Sequence, residues 1–183
     1  MTHLKTEYHG HSKTYAVLFH IAGHLLDMAK KYEKGSLLNL QAATVFFAFT
    51  FEAYLNHVGE EELAFWSEID HISYTAKLKV LSKHLGFPVD KSMRPFQTIG
   101  ELFTLRNTLA HGRTQNLTKT IETNIEPPIN AAWHLLLYEQ LTPEAVRRYY
   151  EDVKNAIASI NENRPKKDEM LWKQGMRGYN TID

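Results

Sequence analysis

Arg106, Asn107 and His111 carry the groups in this chain best suited to chemistry. They are a permanently charged fork, an amide and an imidazole, all within one short stretch. They sit in Glu101–Arg113 (ELFTLRNTLAHGR), which reads as the end of a helix stopped at Gly112. Each residue of an ideal helix advances about 100°. Ile99, Leu102, Phe103, Leu109 and Ala110 then form an apolar stripe, with Arg106 near its middle. An arginine there needs a buried partner, or the stripe faces something other than a plain core. Gly100, Thr104, Asn107 and His111 fall on another side, as a stripe of small and polar residues. Asn107 and His111 are one turn apart, so their side chains can converge. His111 alone reads equally as a C-terminal residue favoured by the helix dipole.

A carboxylate with the matching problem lies upstream. Glu52 ends the most apolar run of the sequence, Ala42 to Phe51. An arginine fork on a carboxylate satisfies several donors at once, so Glu52 and Arg106 are expected to meet. A purely structural ion pair that fixes helix register is the other reading of the same two residues.

The elements that must position these groups are helices. Tyr15 to Tyr32 has helical apolar spacing and a basic end before Gly35. Ser36 to about Val58 is apolar nearly all round, so it should be the central helix, stopped at Gly59. A short helix within Glu60 to Ile69, then Ser73 to Leu85 and Arg94 to His111, follow. Residues 114–128 form a polar connection, and Asn130 to Leu141 reads as a helix. Thr142-Pro143, a cap followed by proline at the first helical position, opens the last helix, to about Asn161.

The expected class is therefore all-α, an antiparallel helical bundle with additional short helices. Residues 1–13 read as a polar N-terminal segment, 14–162 as the helical domain, and 163–183 as a tail or arm. Trp172 and Tyr179 suggest that the tail docks.

Composition narrows the function classes. The chain has 183 residues, with 21 basic and 21 acidic side chains, so net charge gives no nucleic-acid footprint. The absence of cysteine removes disulfides, a thiol nucleophile and thiolate metal sites. No segment has the length and hydropathy of a membrane span, and a cytoplasmic location is expected. His20 and His24 are one turn apart, with His9 and His11 nearby. A di-metal bundle draws a Glu-x-x-His pair from each of two helices, and the sequence has a single such pair, Glu68-Ile-Asp-His71, so neither metal nor cofactor is expected. Glycine-rich phosphate loops and nucleophile elbows are missing as well. The aromatics at Phe46, Phe47, Phe49, Phe51, Tyr149 and Tyr150 read as core.

Arg106-Asn107-Thr-Leu-Ala-His111 resembles the motif of the HEPN domain family: arginine, a polar residue, three residues, then histidine, late in a core helix. Phe51-Glu52-Ala-Tyr54-Leu-Asn56 is similar to that family's second helix, which often carries an acidic residue near the motif. The resemblance covers roughly Thr14 to Ile160. It implies a HEPN-like bundle and a metal-independent endoribonuclease acting as a homodimer, with motifs from two subunits lining one cleft. On that resemblance His111 handles protons as a ribose 2′-hydroxyl attacks phosphorus, and Arg106 stabilises the phosphorane. Asn107 holds the phosphate or His111, Glu52 positions Arg106, and Arg113 adds a phosphate contact. The implied products carry 2′,3′-cyclic phosphate and 5′-hydroxyl ends. RNA is the implied partner, with no DNA and no membrane. A neutralising antitoxin protein is implied where members work in toxin–antitoxin or antiviral systems. The family also contains catalytically silent modules that bind RNA, nucleotide or a protein, and a plain structural adaptor is a further alternative.

Overall fold

In the computed structural model residues 5–112, 141–173 and 175–182 are described, and side chains are described for 12–112 and 141–173. Arg113, the 114–128 connection and most of the Asn130–Leu141 segment lie outside the described residues.

Six helices make up the body among these residues: α1 (Thr14–Lys31), α2 (Ser36–Glu62), α3 (Trp66–Ile69), α4 (Tyr74–Leu85), α5 (Phe96–His111) and α6 (Pro143–Glu162). Local signals set most of their ends. Ser73 caps α4 by accepting from Ala76 N, and Thr142 caps α6 by accepting from Ala145 N, with Pro143 at the first turn. Gly35 and Gly86 adopt φ of +82° and +74°, a region that side-chain-bearing residues rarely enter.

α2 is the axis of the bundle and touches every other described helix. Its near-continuous apolar surface explains this: Ala43, Phe47, Ala48, Phe51, Tyr54, Leu55 and Val58 are all fully buried. The connection 32–35 folds α1 back along α2. α4 and α5 cover one side of α2, and α6 closes the bundle against α1, α2 and α5.

Gly59 does not stop α2, contrary to the sequence reading; the helix continues one turn to Glu62. A Cβ at Gly59 would lie 2.0 Å from the Trp66 ring, so this glycine is the seat for the buried Trp66 indole.

The segments flanking the helices pair with each other. β1 (Lys5–His11) and β2 (Gly175–Ile182) form an antiparallel ribbon, Lys5 opposite Ile182 and His11 opposite Gly175, with an irregularity at His9/Gly10. The tail does dock, as Trp172 suggests. The Trp172 ring lies 4.2 Å from Phe19. Asp168 accepts from Lys13 at 2.5 Å and from Tyr15 at 3.0 Å, and its backbone exchanges two hydrogen bonds with the Asn161 side chain.

Candidate active site

α5 is fixed at its start by contacts that thin out toward its end among the described residues. Arg94, just before the helix, forks both oxygens of buried Asp152 on α6, at 2.6 and 2.8 Å. Arg148 reaches Glu101 at 2.8 Å. Phe96, Ile99, Leu102 and Phe103 are buried, and Phe103 stacks on Tyr74 at 3.5 Å. Beyond Phe103 burial falls away. Leu105, Arg106 and Leu109 are half-buried, while Thr104, Asn107, Thr108, Ala110 and His111 are exposed. The apolar stripe expected to reach Ala110 thus delivers a core only to Phe103.

Thr104 and Thr108 bond back to the carbonyls of Gly100 and Thr104, which satisfies their hydroxyls on the helix itself. A Cβ at Gly100 would meet no atom of the described residues within 4 Å, so the small-residue stripe is uncovered among them. The helix ends at His111. Gly112 has φ of −56°, not a left-handed stop; its missing Cβ avoids a 2.7 Å approach to the Thr108 carbonyl.

The expected Glu52–Arg106 pair is not formed. Glu52 accepts from Lys77 of α4 at 3.2 Å. Lys77 is buried beside Leu78 and Leu81 on the face α4 turns to the core. An ammonium brought that far in needs a carboxylate, and Glu52 is the one it meets. Arg106 instead lies over the Phe49 ring, 5.3 Å from its centroid and one turn before Glu52 on α2. It donates from Nη1 to Asn107 Oδ1 at 2.8 Å, while its buried Nε has no partner. Asn107 therefore engages Arg106 rather than His111. His111 has no hydrogen-bond partner among the described residues and stands exposed at the negative end of α5.

The arrangement sets a guanidinium, partly desolvated by an aromatic face, on the same helix as a solvent-accessible imidazole five residues later. Such a guanidinium can receive an anion through donors that the protein leaves unsatisfied. No group of three or more candidate metal ligands occurs among the described residues. None of the described helices is long and apolar enough to cross a membrane.

A second polar cluster escaped the sequence reading. Arg164, its side chain 2% exposed, pairs with both Glu61 and Glu62 at the end of α2. Around it lie His57, Tyr54 and Tyr15; His57 is 3.7 Å from Glu61, and its ring is 5.1 Å from that of Tyr15. Burial pushes both tyrosine hydroxyls up, with Asp168 adding to the effect at Tyr15 and Arg164 opposing it at Tyr54. Burial also lowers the His57 pKa, partly offset by Glu61. Glu61 and Glu62 meet a partner about a hundred residues away, so no local signal could reveal the pairing. In comparison with known proteins, the chain matches no family model, no curated protein and no solved structure.

Proposed function

We propose that this protein is a HEPN-type, metal-independent endoribonuclease whose site is completed in a homodimer. The observation that carries the reading is Arg106 itself. It is a half-buried arginine with no carboxylate partner among the described residues, five residues before an exposed His111 that ends the same helix. An RNA phosphate would supply the anion that Arg106 lacks.

In the proposed reaction the 2′-oxygen of one ribose attacks the adjacent phosphorus, and His111 of one subunit takes the 2′-hydroxyl proton. The bond from phosphorus to the 5′-oxygen breaks. His111 of the second subunit protonates that leaving oxygen, giving 2′,3′-cyclic phosphate and 5′-hydroxyl ends. Arg106 offsets the charge that builds on the phosphorane, and Asn107 holds the Arg106 fork in place. No described residue covers Gly100, which suits the approach of a second α5. Glu52 acts at one remove, by anchoring α4 to α2 through Lys77. Arg113, just after the helix, is assigned a phosphate contact. Pairing with a neutralising antitoxin protein is part of the same proposal.

A second reading draws on the occupied Glu52. With that carboxylate committed to Lys77, Arg106 lacks an internal orienting group, which suits a silent module that binds RNA without cutting it. RNA cleavage in excess chelator separates the two. The wild type should cut, and His111→Ala and Arg106→Ala should each lose about 10²–10⁴-fold. Equal cutting by wild type and His111→Ala sinks the nuclease reading. Binding without cutting by the wild type supports the silent module.

A further inference from the structure

A groove lies away from α5, between α1, α6 and the docked tail. Its volume is about 460 Å³, within the range of small-ligand sites. Its floor is aromatic. Phe19 stacks on Tyr150 at 4.7 Å and lies 4.2 Å from Trp172, ring centre to ring centre. Trp172 reaches this place because the tail is tied down twice. His20 Nε2 donates to the Trp172 carbonyl at 2.9 Å, and Asp168 is held by Lys13 and Tyr15. The groove wall is therefore built by contacts between residues about 150 positions apart, and is not a by-product of two neighbouring helices.

The rim is polar and uneven in charge. Arg147 and Lys154 line one edge from α6, seven residues and two turns apart, so they share a face. Arg147 lies 5.1 Å over the Tyr150 ring and pairs with Glu151 at 2.7 Å in an exposed contact that an incoming anion can replace. Lys154 has no ion-pair partner among the described residues. His24 and Asp27 line the α1 edge and offer hydrogen-bonding groups.

A flat aromatic wall beside two cations, with an acid and an imidazole opposite, matches a molecule with a planar ring and a phosphate at its other end. We infer that this groove binds a 5′-phosphorylated nucleoside, free or as the end of an RNA strand. The base lies against Trp172, the phosphate sits between Arg147 and Lys154, and Asp27 accepts from a ribose hydroxyl. The inference does not depend on the cleavage reading, because none of these residues belongs to the α5 site.

Calorimetric titration of the full chain tests it, with AMP, adenosine and inorganic phosphate as probes. AMP should bind about tenfold more tightly than adenosine. Lys154→Ala should remove that advantage while leaving adenosine affinity and the helical circular dichroism unchanged. Trp172→Leu should weaken both ligands, as loss of a stacking face requires. A short RNA compared with and without its 5′-phosphate identifies the source. Preference for the phosphorylated strand over AMP assigns the site to RNA ends, and the reverse assigns it to free nucleotide. Absence of AMP binding at millimolar concentration overturns the proposal. So does AMP affinity equal to that of adenosine, or unchanged in both Lys154→Ala and Arg147→Ala.

Discussion

Arg164 and Arg106 are both drawn into the helical body, and the protein treats them in opposite ways. Arg164 is nearly sealed and forks two carboxylates of α2. Arg106 is half-buried, rests on Phe49 and receives only an amide oxygen from its neighbour. The first has its charge answered from within, so its role is to tie the chain after α6 to α2. The second keeps its charge unanswered among the described residues, which fits the outward role proposed for it. Burial of an arginine alone does not distinguish structure from function; the presence of a carboxylate does.

This contrast can be broken by experiment. The largest effect is expected at the closed arginine. Arg164→Met leaves Glu62, largely buried, without its partner and should cost about 3 kcal/mol in denaturant unfolding. Arg106→Met, which loses only an aromatic contact and an amide bond, should cost about 1 kcal/mol or less while removing most of the proposed cleavage. Equal stability losses would erase the distinction.

A smaller effect is expected from His57, beside the closed arginine. Its pKa is depressed in the folded state, so the unfolded chain binds more protons at acid pH. The stability tied to neutral His57 is present above the ordinary histidine range and falls as pH drops through about 6.5 toward the folded value. His57→Gln should flatten unfolding free energy against pH in that window, and an unchanged slope would rule His57 out. The smallest effect is expected beside the open arginine. Gly100→Ala has room for its methyl group and should raise monomer stability by about 0.5–1 kcal/mol. If two α5 helices meet there, the same change should weaken dimerisation in sedimentation measurements.

The two regions also differ in how far the sequence announces them. Ser73, Thr142 and Pro143 act within their own turns, so the starts of α4 and α6 are readable without tertiary information. The central place of α2 follows from its composition alone. Gly59 misleads because its reason is the Trp66 ring, which packs on it from beyond the helix. Glu52 and Arg106 share a logic of unmet charge, yet which partner each meets depends on how far α4 and α5 are shifted along α2. Lys77 gives no sign of burial in sequence, since a lysine between apolar neighbours is usually a surface residue with a buried stem. Arg164 and Trp172 fall in a stretch that reads as a charged arm, and only their distant partners show them to be built in.

The pairing of β1 with β2 has a mechanical consequence. Lys5 and Ile182 face each other at the open end of the ribbon, so tension between them pulls the strands apart crosswise. Antiparallel hydrogen bonds loaded in this way break one pair after another, not all together. A weak stretching force should therefore peel the ribbon first. The load would then pass to the anchored tail, where Asp168 and Trp172 hold against α1, before the helices bear any of it.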